Sequence, residues 1–230
     1  MVGIRAALGL CLCAAMVLAA PRARADEAPF GDYAARTVVV MVFDGFAPAL
    51  LEGLEAPAFA RMRREGSFTH RLLPVFPSLS LVNGFSLSTG CLPERHGIVS
   101  DLFQDPKRGR YDHSRDADWQ SGCEGMHQAA ERQGLRTAAL GWYGGVSGTK
   151  GPQATVVSGE KTFAEFPQDL ERAQEVVRLL RLPQTERPRL ILAYFRGPDA
   201  AEHQAGAGSP AARAAARTAD EAVGTVLSAM

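Results

Sequence analysis

Asp44 ends an apolar run, Thr-Val-Val-Val-Met-Val-Phe at 37–43, and is followed by Gly45. A carboxylate there needs a turn N–H, another donor or a cation to satisfy it. Ser80 opens Ser-Leu-Val-Asn-Gly-Phe-Ser-Leu-Ser-Thr, which reads as a helix over 80–89 with Ser80 at its N-cap and Gly90 ending it. The N–H groups and dipole at such a helix start favour an anion. Asp199 and His203 stand four apart just after a second apolar run at 189–195. If that turn is helical, both side chains share one face and can hold one metal ion. Cys91-Leu92-Pro93-Glu94-Arg95 adds a thiol in a C-x-P-x-R pattern, and Arg95-His96-Gly97 reads as a turn. Each group alone has a plainer reading: a turn aspartate, a helix cap, a solvated Asp–His pair. Together they offer a hydroxyl nucleophile, carboxylate and imidazole metal ligands, and an anion-binding helix start.

The elements that must carry these residues follow from hydrophobic patterning. Strands are expected at 37–43, 67–74, 136–142 and 189–195, and helices at 56–65, 80–89, 123–134, 166–182 and 210–230. Residues 107–118 lack periodicity and read as a surface loop, and 144–152 as a glycine-rich connector. Strands alternating with helices predict an α/β protein with a mainly parallel sheet. Ligands of such sheets bind beyond the carboxyl ends of the strands, where Asp44, Ser80, Asp199 and His203 all fall.

Residues 1–25 stand outside this fold. A short basic start, an apolar run over 6–20 and Ala23-Arg24-Ala25 have the order of a secretory signal peptide. Taking its three arginines from 25 basic residues leaves 22 against 25 acidic ones, a net charge of −3 on 26–230. That charge gives no electrostatic footprint for nucleic acid or an anionic membrane. Two of the four cysteines belong to the signal, so Cys91 and Cys123 are the candidate disulfide pair of an exported protein, periplasmic or extracellular, with no membrane anchor after cleavage.

Three stretches, MVFDGF, PVFPSLSLVNGFSLSTGCLPERHGIVSD and ERPRLILAYFRGPDAAEH, keep a fixed order and spacing. In this the chain resembles the nucleotide pyrophosphatase/phosphodiesterase branch of the alkaline phosphatase superfamily. The resemblance implies an alkaline-phosphatase-like α/β/α sandwich over 26–230, a small phosphate-ester substrate and two zinc ions. It puts Ser80 in the place of the family's threonine nucleophile, to form a covalent phospho-serine. Asp44 and Ser80 would ligate one zinc, Asp199 and His203 the other. A phosphomonoesterase, phosphonate hydrolase or sulfatase shares the scaffold. The sulfatase reading of Cys91 fails on position, because its nucleophile opens the helix and Cys91 follows the helix end.

Several positions depart from the family pattern. Gly84 stands where the family has histidine, Glu202 where it has glycine, and Asp101 where it has a phosphate-holding asparagine. An ionised Asp101 repels a phosphate. The family's Asp-His-Gly motif and later histidine fall downstream of its D-x-x-x-H segment and have no counterpart among these 230 residues; His70, His113 and His127 lie in other contexts. Each zinc therefore has two ligands from this sequence where a catalytic site wants three. The expectation is a sheet incomplete at its C-terminus, with weak zinc affinity and little activity in this chain alone. The alternative is a catalytically silent relative that binds a phosphate-containing ligand.

Overall fold

The computed structural model describes residues 36–111, 119, 123–143, 151–158 and 165–230. The signal segment 1–25, His113 and most of the 144–152 connector lie outside them. The main sheet has four strands, β1 (Val38–Phe43), β4 (Thr137–Leu140), β5 (Val156–Val157) and β6 (Leu190–Phe195), in the order β1-β6-β4-β5. Every pairing in it is parallel, as the alternating pattern predicts. Two short strands, β2 (Phe103–Asp105) and β3 (Gly109–Tyr111), form a separate antiparallel hairpin.

Apolar residues on consecutive positions of β1 and β6 serve two cores, one on each sheet face. Val39, Met41 and Phe43 join Ile191, Ala193 and Phe195 against the long helices; Val40, Val42, Leu190 and Leu192 join Ala139 and Trp142 on the other face. Helix α5 (Asp169–Leu180) lays Ala173, Val176 and Leu180 on the first core, and the Glu171 carboxylate accepts the Gln168 N–H at 2.9 Å to close its start. Helix α7 (Pro210–Leu227) starts at a Ser209 cap and presents Ala212, Ala216, Ala219 and Ala222, all without exposed surface. These small side chains let α7 pack on both α5 and α1 (Pro57–Glu65). Helix α4 (Met126–Arg132) reaches the opposite face through Met126. The result is a helix–sheet–helix sandwich.

Three expectations need correction. Residues 67–74 form no strand: Leu72 and Leu73 are 85% and 83% exposed, and adjacent apolar residues followed by Pro74 give a ladder neither a single inner face nor a complete set of donors. The 107–118 loop begins inside the β2–β3 hairpin, because Asp105 Oδ1 accepts the N–H groups of Lys107 and Arg108 at 2.7 and 2.8 Å and makes a tight turn; 112–118 lie outside the described residues. The third concerns Ser80. Helix α2 spans Ser80–Thr89 as the pattern predicts, but Leu79 is its N-cap and Ser80 its first helical residue.

Candidate active site

Four elements converge at the carboxyl end of β1 and β6. Asp44 follows β1, and its N–H bonds Phe195 O at 3.1 Å, extending the parallel ladder by one residue. Gly45 has φ of +65°, and a Cβ there would lie 2.6 Å from the Asp199 Cα, so glycine lets the loops after β1 and β6 touch. The Asp199 N–H then donates to Asp44 O at 3.2 Å. Asp199 opens helix α6 (Asp199–Ala205), and the expected i, i+4 pair forms, with His203 Nε2 at 3.4 Å from Asp199 Oδ1. His203 is largely exposed and Asp199 mostly covered.

Ser80 caps nothing. Its hydroxyl donates to Asp44 Oδ2 at 2.8 Å across 36 residues of chain, and no side-chain cap bond is made at the start of α2. Its approach is held by Asn83, whose Oδ1 accepts the Val75 N–H at 2.8 Å while Nδ2 donates to Pro77 O and Leu79 O at 3.2 and 3.0 Å. Asp101 lies against the same helix start, its Oδ1 accepting the Leu81 N–H at 3.4 Å. A carboxylate thus takes a first-turn donor that an anion at this helix start would otherwise use.

Two tyrosines that the sequence reading passed over complete the group. Tyr194, inside β6, donates to Asp44 Oδ2 at 2.5 Å, and the Tyr143 ring packs edge-on against the Tyr194 ring. Burial, reinforced by the Asp44 charge, pushes both phenols above their ordinary range, so they stay protonated donors. Burial and then the Asp44 charge raise the Asp199 carboxyl, which His203 and Arg196 partly offset.

Cys91 and Cys123 are joined as a disulfide with Cα atoms 6.4 Å apart, so Cys91 is not a free thiol. The His96 side chain is structural: fully buried on α3 (Pro93–His96), it accepts the Ile98 N–H at Nδ1 and leaves Nε2–H to donate to Ser86 Oγ at 2.9 Å. Burial lowers its pKa. That proton arrangement prevents His96 from acting as a base toward Ser86.

The family model of type I phosphodiesterase / nucleotide pyrophosphatase matches residues 38–230. The chain belongs to that family. A pyrophosphatase/phosphodiesterase of Schizosaccharomyces pombe is 32% identical over 181 residues, covering 76% of this chain and 36% of the relative. Human ectonucleotide pyrophosphatase/phosphodiesterase family member 1 is 28% identical over 194 residues, 80% of this chain and 20% of that protein. The fold matches murine ectonucleotide pyrophosphatase/phosphodiesterase 5 with a TM-score of 0.75 at 21% identity, over 84% of this chain and 52% of that one. An inactive threonine-to-alanine variant of the murine protein in complex with AMP matches at 0.76. The chain therefore spans between a fifth and about a half of these relatives.

Proposed function

We propose that this family member is an exported, metal-dependent hydrolase of phosphodiester or pyrophosphate bonds that acts through a phospho-serine at Ser80. The observation that carries the reading is the Ser80–Asp44 hydrogen bond at 2.8 Å, formed where a helix cap would be the ordinary role of this serine. Names of relatives support the bond class, and those of the ectonucleotide and Crotalus adamanteus venom enzymes support export. Among the described residues no helix is long and apolar enough to cross a membrane.

Asp44, Asp199 and His203 fit a divalent cation in donor type, carboxylate oxygen and imidazole nitrogen being zinc ligands. When bound, two zinc ions would supply charge stabilisation for the attacking and leaving oxygens and a lower pKa for the Ser80 hydroxyl. The Ser80 hydroxyl donates its hydrogen bond to Asp44 Oδ2, which leaves the oxygen lone pairs for phosphorus. Attack forms the Oγ–P bond as the ester P–O bond breaks in line; the Ser80 proton passes to solvent, and the departing oxygen takes a proton from solvent and leaves as the alcohol. Water then cleaves the Oγ–P bond and restores Ser80. The remaining N–H groups of the first turn of α2 face the phosphoryl oxygens.

One observation favours a second reading, ligand binding without turnover. Among the described residues no group of three or more His, Cys, Asp and Glu side chains is close enough to hold a metal ion. Hydrolysis of bis-p-nitrophenyl phosphate, with zinc content measured on the same sample, separates the two. Turnover that Ser80→Ala abolishes supports the hydrolase; phosphate binding with no turnover at saturating zinc supports the silent relative.

A further inference from the structure

We propose that Tyr194 is a positioning residue that fixes the Asp44 carboxylate against the Ser80 hydroxyl, with the Tyr143 ring bracing it and Gly84 kept small so that Tyr143 can approach. The inference rests on the reading of Ser80 as the nucleophile.

Asp44 receives three donors on two oxygens. Gly45 N–H reaches Oδ1 at 3.0 Å, while the Ser80 and Tyr194 hydroxyls reach Oδ2 at 2.8 and 2.5 Å. A carboxylate bonded from both ends has one orientation. Tyr194 sits opposite Val42 in the β1–β6 register, one residue short of Phe43, so the neighbouring strand delivers its hydroxyl to the end of β1. The single Tyr194 proton goes to Asp44. Tyr143 follows β4, the other neighbour of β6 in the sheet, and packs its ring on that of Tyr194.

Gly84 supplies an independent sign that the Tyr143 position is built. It lies inside α2, where glycine weakens a helix relative to alanine. A Cβ on it would stand 2.0 Å from Tyr143 Cδ2, so the ring lies directly on the backbone of the nucleophile helix. The same ring meets the Tyr194 ring edge-on, with centroids 5.1 Å apart at 72°. Phenylalanine would fill both ring volumes. The Tyr194 hydroxyl on Asp44 is what packing alone does not require.

The test is covalent labelling of Ser80 by a p-nitrophenyl alkylphosphonate at fixed zinc, across pH. The Ser80 Oγ–P bond forms, p-nitrophenolate leaves, and the Ser80 proton passes to solvent. Release is followed optically and the adduct located by peptide mass. Tyr194→Phe is expected to slow labelling about 10–100-fold, the range seen when an outer partner of a ligand is removed. Gly84→Ala, which must displace the Tyr143 ring, is expected to slow it less, and Tyr143→Phe, which keeps the ring, to label near the parental rate; the urea midpoint of each variant is read beside its rate. Labelling of Tyr194→Phe at the parental rate overturns the proposal. Failure of the parent chain itself to label refutes the nucleophile reading instead. The Tyr194–Asp44 contact is then decided by urea unfolding of Asp44→Asn, Tyr194→Phe and the double variant without metal. Non-additive losses support a direct Tyr194–Asp44 bond; additive losses overturn it.

Discussion

Asp101 accepts the Leu81 N–H at 3.4 Å, one residue from Ser80, and so places negative charge beside the point where a phosphoryl group would sit. Two unit charges about 6 Å apart repel by roughly 3 kcal/mol at an effective dielectric of 20. Replacing Asp101 by the neutral, isosteric asparagine is therefore expected to raise kcat/KM on bis-p-nitrophenyl phosphate by about tenfold or more, a loss of rate being the contrary result. His127 makes a second prediction. It is buried at the start of α4, neither ring nitrogen has a hydrogen-bond partner, and burial lowers its pKa against the opposing charge of Glu131. The folded chain therefore binds this proton less readily than the unfolded chain, whose histidine titrates near 6.5. Stability is unaffected by the group well above pH 6.5 and falls as pH drops through and below it. Urea midpoints at pH 8 and pH 5 should differ more for the parent than for His127→Leu; equal differences would exclude the effect.

Among the elements, the tie between α1 and α7 is made by one buried aspartate. Asp220 accepts the Ala58 and Phe59 N–H groups at 3.2 and 2.8 Å, so a residue from the last helix caps the start of the first. No side chain local to α1 makes a cap bond. Asp220→Ala is expected to destabilise the fold by about 1–2 kcal/mol, with Asp220→Asn losing less, as read from chemical denaturation. This cap shows what the sequence could and could not reveal. Strand β1 and helix α2 were legible because a continuous apolar run and a Ser…Thr-Gly frame are set by local chemistry. A cap that reaches across 162 residues has no local signature. Ser80 was mistaken for a cap for the same reason: the position one residue earlier and the long-range partner Asp44 are tertiary facts. Tyr194 was hidden inside a run read only for its buried apolar character. Tyr143 lay beside a glycine-rich stretch read only as a connector.

Across the whole molecule, the parallel sheet gathers residues from loops far apart in sequence at the carboxyl ends of its strands, where the Ser80 hydroxyl and the Asp199 N–H both meet Asp44. The roles of these residues rest on chemistry that the fold permits and does not itself dictate. The Cys91–Cys123 disulfide closes a separation of 32 residues between the end of α2 and the approach to α4. Loop-closure entropy puts its stabilisation at about 3–4 kcal/mol. Paired Cys91→Ser and Cys123→Ser replacement should lower the unfolding free energy by that order, and an unchanged midpoint would mean that the cross-link constrains little.

The central claim is that Ser80 carries the phosphoryl group. Its most direct test is rapid acid quench during turnover of bis-p-nitrophenyl phosphate with zinc present, followed by peptide mapping. The expected result is a phosphoryl ester adduct on the peptide containing Ser80, formed with one equivalent of p-nitrophenolate and absent from Ser80→Ala. Turnover by Ser80→Ala equal to that of the parent chain at matched zinc would contradict it.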